Sequence, residues 1–190
     1  MSATRWEIRP GVRDDADALA AVHVAAWRAG YAHVFPASWL QGEAFEAGRH
    51  EVWNAWRFEP ARLLVAVTPG AATGPGSRDA ERHESVVGFS LFGAERERAA
   101  RAATRRGEVW SFYLHPDLWG SGLADELLER TEARLRADGF DAAVLWVLDD
   151  NPRARSFYER HGWTATGLRA DFDQYCDVAV PELEYRKVWS

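Results

Sequence analysis

Seven consecutive apolar residues, AAVLWVL at Ala142–Leu148, constrain the fold of this 190-residue chain more than any other stretch. A run this apolar and this short is a β-strand covered on both faces, because a strand with one wet face alternates in polarity. The flanking sequence supplies the cover. Upstream, residues 123–138 carry a helical pattern that stops at Gly139. Downstream, NPRARSFYERHGW opens with Asn151 as cap and Pro152 at the first helical position, and Gly162 ends the helix.

The rest of the chain follows the same logic. RWEIRPG (5–11) alternates like a short strand, and a helix follows, capped by Asp14 or Asp15, with Leu19, Val22, His23 and Ala26 on one face. Pro36 interrupts, and a second helical stretch is predicted from about 38 to 57. Strands are predicted at 62–67, 86–93, 108–114, 164–169 and 182–189. The Gly/Pro/Ser-rich segment 68–85 is long for a hairpin loop, and the densely charged segment 94–106 reads as a solvated helix or loop. The order is strand, two helices, three strands, helix, strand, helix, two strands. It predicts a single α/β (α+β) domain over 1–190, with a mixed sheet and helices on its faces.

Composition narrows the function classes. A net charge of −6 argues against nucleic acid, whose phosphates need a basic face, and mildly favours cationic substrates such as amines. The lone Cys176 cannot form an intrachain disulfide, which fits a reducing cytoplasm. No Cys/His cluster has zinc spacing, and no stretch approaches the ~20 apolar residues of a membrane span. The expectation is a cytoplasmic protein with no metal and no membrane partner. Ten tryptophans can fill a core or line an apolar pocket.

The chemistry concentrates where strand 108–114 hands over to the helix at 123. WGSGLA (119–124) places Gly120 and Gly122 at that turn. Glycines permit close backbone approach, and the unpaired N–H groups of a helix's first turn favour anions, so this is a pyrophosphate cradle in composition. It is neither a Walker loop nor a dinucleotide fingerprint. A turn needed only for chain reversal has the same composition.

Two segments together resemble the GNAT superfamily of acyl-CoA-dependent N-acyltransferases. Trp119, Gly120, Ser121, Gly122, Leu123 and Ala124 fill the signature Gln/Arg-x-x-Gly-x-Gly/Ala, with Trp119 departing from it where a polar residue is usual. Asn151, Ala154, Phe157, Tyr158, Gly162 and Trp163 fill the signature Asn-x-x-Ala-x-x-Phe/Leu-Tyr-x-x-x-Gly-Phe/Trp. The opening IRPGVRDDADALAAVHVAAWRAGY is similar to the family's first strand and helix.

The resemblance implies a mostly antiparallel central sheet with helices on both faces and a splayed strand pair holding coenzyme A. It implies acetyl transfer from acetyl-CoA, as co-substrate, to a primary amine. Residues 119–124 would hold the pyrophosphate. The backbone of Phe112 and Leu114 and the side chain of Asn151 would meet the pantetheine arm, and the Leu114 N–H would polarise the acyl carbonyl. Tyr158 would protonate the departing thiolate. An alkylammonium titrates near ~10, so a base is needed. Glu108 is the candidate, expected by alternation on the same strand face as Trp110, Phe112 and Leu114; His23, His33 and Asp173 stand behind it, unranked.

His115 and His161 read as turn and helix-end residues, Cys176 as a bystander, and Phe157 as core. The acceptor, a small molecule or a protein N-terminus, is left open. Trp27, Tyr31, Phe35, Trp39, Trp53 and Trp56 suggest an aromatic wall for it, and Asp171 and Asp173 a cation contact. Homodimers are common in the family. A non-catalytic acyl-CoA sensor is the rival reading; it would need the cradle but neither Glu108 nor Tyr158.

Overall fold

The apolar run is a central strand. In the computed structural model, which describes residues 6–59, 61–69, 84–96, 105–172 and 179–189, it forms β5 (Ala142–Leu148) inside a seven-stranded sheet. The other strands are β1 (Glu7–Pro10), β2 (Leu63–Thr68), β3 (Ser85–Ala94), β4 (Arg106–Leu114), β6 (Thr164–Phe172) and β7 (Val180–Val188). Their spatial order is β1-β2-β3-β4-β5-β7-β6, antiparallel throughout except for the parallel pair β4–β5.

Among the described residues, five α-helices cover the sheet: α1 (Ala16–Gly30), α2 (Ala37–Leu40), α3 (Glu43–Ala55), α4 (Leu123–Ala137) and α5 (Pro152–Arg160). The single helix expected over 38–57 is two. Gly42 caps α3 in an extended conformation, and a Cβ there would sit 3.0 Å from the Ser38 carbonyl oxygen. At the start of α1, Asp15 holds the entry turn: its carboxylate accepts the Val12 N–H at 2.8 Å and both ends of the Arg9 guanidinium at 2.9 and 2.8 Å.

Alternate residues of β2 show the two faces. Leu64 and Ala66 join a core with Leu123, Leu127, Leu128 and Leu135 of α4 and Tyr158 of α5. Leu63, Val65 and Val67 join a second core with Leu19 and Val22 of α1 and Trp53 of α3. On the α4–α5 side the buried Glu132 accepts from Trp163 Nε1 at 2.9 Å and from Lys187 Nζ at 2.7 Å, so the enclosed carboxylate is paired.

Two irregularities in β4 prepare the site. Its pairing with β5 runs from Arg106↔Ala142 to Val109↔Leu145 and ends there, although both strands continue. The strands splay. Against β3, Leu91 opposes Ser111 while Phe92 opposes Val109, so Trp110 is the extra residue of a β-bulge. The bulge breaks strict alternation. Val109 packs in the same α4–α5 core as Leu114, with Phe112 against it. Glu108 is therefore on the opposite face, which corrects the expectation that it shares a face with Phe112 and Leu114.

Candidate active site

The strand-to-helix turn needs its glycines for backbone conformation. Gly120 has φ +79° and Gly122 φ +93°, a region costly for residues with a β-carbon. A Cβ on Gly120 would meet nothing within 4 Å, and one on Gly122 only Asp125 Oδ2 at 4.0 Å, so the space above the turn is open. Gly122 is the N-cap of α4, and the first-turn N–H groups of Ala124 and Asp125 have no partner inside the helix. Ser121 stiffens the turn: its Oγ donates to the Leu118 carbonyl at 2.7 Å and accepts from the Leu123 N–H at 3.3 Å. Leu123 is wholly buried in the core.

A cavity of about 620 Å³ runs from this turn through the β4–β5 gap to α1. Of the eleven residues expected to bind coenzyme A or to act in the transfer, nine line it, namely Glu108, Phe112, Leu114, Trp119, Gly120, Gly122, Ala124, Asn151 and Tyr158, while Ser121 and Leu123 do not. The His115 N–H donates to the Val87 carbonyl at 2.8 Å, which sets the alternation of the β3–β4 ladder. The N–H groups of Leu114 and Phe112 accordingly point away from β3, into the gap. The Leu114 carbonyl accepts from Trp119 Nε1 at 3.2 Å. The residue that departs from the family signature thus ties the cradle to the strand edge. The Arg153 guanidinium lies over the Trp119 ring at 4.3 Å, placing a cation where the signature position lacks a polar side chain. Arg153 and Arg160 both line the cavity.

Three tyrosines meet around the gap. Burial, reinforced by the nearby Tyr113, holds the Tyr158 phenol well above its ordinary value of about 10. Burial pushes Tyr31 up to about 12, partly offset by hydrogen bonding to Tyr113 and Asn151. Asn151 also caps α5, its Oδ1 accepting the Ala154 N–H at 3.1 Å. His23 stacks on Tyr113 with ring centroids 4.6 Å apart; both its ring nitrogens are buried without a hydrogen-bond partner. Burial, helped by the positive Arg49, lowers its pKa to about 3, so the ring is neutral.

Glu108 is buried and engaged. Its carboxylate accepts the Arg96 N–H at 2.8 Å and the guanidinium at 3.1 and 2.6 Å. His33 is exposed, with Nε2 2.8 Å from the Asp150 carbonyl oxygen. His115 Nδ1 accepts the Asp117 N–H at 3.4 Å, and His161 pairs with Asp125 at 2.9 Å. Asp173 and Cys176 lie outside the described residues. Of the suggested aromatic wall, Trp27 and Tyr31 line the cavity, whereas Phe35, Trp39, Trp53 and Trp56 pack into the cores. Phe157, expected in the core, packs half-buried against it and also lines the cavity, stacked on Phe112 at 5.9 Å. Arg153, Trp146 and Glu182 are wall residues that sequence reading passed over. Arg153 carried a signal, a lone cation between the matched Asn151 and Ala154; the other two carried none.

An open glycine turn at the start of α4, beside a strand edge unpaired beyond Val109 and a cavity lined from both faces of the sheet, has the shape to take an extended ligand. Residues 24–163 match the acetyltransferase (GNAT) family, and the chain belongs to that family. It is 26% identical over 145 residues to the uncharacterized N-acetyltransferase YuaI of Bacillus subtilis, covering 76% of this chain and 73% of that one. It is 36% identical over 66 residues to the mycothiol acetyltransferase of Beutenbergia cavernae, a match that takes in 35% of this chain and spans only 22% of that relative's length. The fold matches the crystal structure of PaiA N-acetyltransferase from Thermoplasma acidophilum in complex with coenzyme A, with a TM-score of 0.66 at 18% identity over 97% of this chain and 99% of that one. Among the described residues no His/Cys/Asp/Glu group could hold a metal ion, and no helix is long and apolar enough to cross a membrane.

Proposed function

We propose that this chain is a cytoplasmic N-acetyltransferase that moves an acetyl group from acetyl-CoA to a primary amine by direct attack. The observation that carries the reading is the splayed β4–β5 pair, with the Leu114 N–H facing the gap above an open glycine cradle. Bound acetyl-CoA supplies the activated acyl carbonyl. The cradle and the first turn of α4 bind its pyrophosphate, with Arg153 adding charge. The edge groups of Phe112 and Leu114 pair with the amides of the pantetheine arm. The Leu114 N–H then stabilises negative charge as it develops on the carbonyl oxygen.

Tyr158 holds a proton for the departing sulfur. Its raised pKa keeps the phenol protonated at neutral pH. A thiol titrates near ~8.5 in water, but the same burial that raises the phenol raises a thiolate beside it, so the two remain comparable. Glu108 fits the role of base less readily than its position in the sequence suggested, because Arg96 occupies both its oxygens.

The test is calorimetric titration with acetyl-CoA followed by thiol release against a panel of amines. Binding with release supports the enzyme. Binding without release from any amine favours the acyl-CoA sensor. No binding refutes the cradle.

A further inference from the structure

The end of the cavity remote from the glycine turn is built around an arginine that no signature contains. Arg96 lies just past β3 and lines the cavity together with Glu108 and Trp110 of β4. The cluster stands on the α1 side of the sheet. Phe92 packs in the α4–α5 core, so its neighbours Leu91 and Gly93 face the other way, and Leu91 packs against the α1 core. Glu108 pairs with Gly93, and the bulged Trp110 lays its ring over the same glycine, where a Cβ would strike it. The indole fills the space that a side chain at 93 would take.

The guanidinium is held from two directions. Its centre lies 5.7 Å from the centroid of the Trp110 ring, and Nε and Nη2 both donate to Glu108 Oε1, at 3.1 and 2.6 Å. Glu108 Oε2 accepts the Arg96 backbone N–H at 2.8 Å. The Glu108 side chain is 3% exposed and that of Arg96 58%, so the carboxylate is enclosed behind the cation and the cation is presented outward. Bonding through Nε and one Nη2 hydrogen uses one edge of the planar fork. The other edge, Nη1 with the second Nη2 hydrogen, has no partner among the described residues. Two parallel N–H groups on a fixed plane match the two oxygens of a carboxylate. The cavity's other cations, Arg153 and Arg160, belong to α5 on the cradle side. Arg62 lies against the Trp110 ring at 5.8 Å, but it pairs with Glu59 and does not line the cavity.

The spacing follows from β3, which carries no extra residue and so measures the site without the bulge. Gly93, opposite Glu108, is three residues from Ser90, which pairs with Phe112, and five from Gly88, which pairs with Leu114. The Glu108 end therefore lies about 10 Å from the strand edge at Phe112 and about 17 Å from Leu114. Resting on the acetyl-transfer reading, we propose that the free edge of Arg96 receives a carboxylate of the acceptor, and that the acceptor is an elongated amine whose carboxylate lies about 10–17 Å along the chain from its nitrogen. Glu108 is then the positioning residue that holds Arg96 in place. A single α-amino acid is too short to reach both ends, whereas four extended peptide residues span up to about 14 Å.

The experiment titrates tetra-alanine, its C-terminal amide and alanine calorimetrically into full-length protein saturated with coenzyme A. Thiol release from acetyl-CoA is measured in parallel. The wild type is expected to bind and acetylate tetra-alanine at least about tenfold better than either the amide or alanine. Arg96→Gln should bring tetra-alanine down to the level of its amide, with coenzyme A affinity unchanged. Arg96→Lys, a point charge without the fork, should keep only part of the preference. Glu108→Gln, which loosens Arg96, should raise KM for tetra-alanine more than it lowers kcat; a fall in kcat at unchanged KM would overturn its positioning role. The proposal is overturned if the wild type treats peptide and amide alike or binds neither, if alanine does as well as tetra-alanine, or if Arg96→Gln keeps the preference. Failure of the wild type to bind acetyl-CoA would instead remove the transfer reading beneath it.

Discussion

Replacing His23 with phenylalanine should make the protein resistant to mild acid. The ring is buried, 7% exposed, with no partner on either nitrogen, and burial and then Arg49 depress its pKa to about 3. In the unfolded chain it titrates near ~6.5. Between those values the unfolded state takes up a proton that the folded state refuses, so stability falls as pH drops from about 6.5 toward 3. The full shift corresponds to roughly 5 kcal/mol, of which about 2 kcal/mol is lost between pH 7 and pH 5. Phenylalanine keeps the stack on Tyr113 and has no proton to take up. Its larger ring and the removal of two unpaired nitrogens alter stability at every pH, but equally at both. Urea unfolding of both proteins at pH 7 and pH 5 gives the double difference, in which carboxylates and the other histidines cancel. The wild type should lose about 2 kcal/mol more than His23→Phe. Equal losses would mean that the ring is hydrated or partnered in solution and that the burial argument is wrong.

Tyr158→Phe should lower kcat by about 10²-fold or more while the acetyl-CoA dissociation constant stays within about twofold; unchanged turnover ends the proton-donor role. Gly122→Val forces a branched side chain into φ +93° and crowds the cradle, so acetyl-CoA binding should weaken by at least about tenfold in calorimetry. Arg153→Ala should weaken acetyl-CoA binding by about tenfold at low salt, with the difference shrinking as salt rises. A salt-independent loss would mean that Arg153 acts by supporting Trp119 rather than by its charge.

The elements were legible in the sequence because their signals are local. The unbroken run at 142–148, Pro152 after a capping Asn151, and Gly139 and Gly162 as helix ends each need only a few neighbours to be read. The glycine turn was legible for the same reason, since Gly120 and Gly122 report a backbone conformation fixed within one turn. What could not be read depends on register. One extra residue at Trp110 moves Glu108 to the other face of the sheet, and nothing in EVWSFYL marks the bulge. Arg96 and Glu108 meet only because β3 and β4 pair as they do. Glu182 joins the cavity wall only because β7 pairs with β5, where it stands opposite Leu148. The split at Gly42 was missed because a single glycine is often tolerated in a helix; here close approach to the Ser38 carbonyl decides.

The opposed faces of the sheet explain why one cavity can serve two ligands. The cradle belongs to α4, which packs on the face carrying Leu64, Ala66 and Val109. Trp27 and Tyr31 belong to the other face, with α1. A continuous sheet would separate them completely, since a fully paired ladder leaves no opening. The early end of β4–β5 pairing at Val109↔Leu145 is therefore the feature on which the proposed chemistry turns: it frees the N–H groups that would hold one ligand and opens a route by which the other would reach it from behind. Two ligands entering from opposite faces can be present together, so the acyl group has no need to rest on the protein between them. A nucleophilic side chain would be superfluous in such a site, whereas a proton acceptor on the α1 side and a proton donor on the α5 side are what the crossing requires.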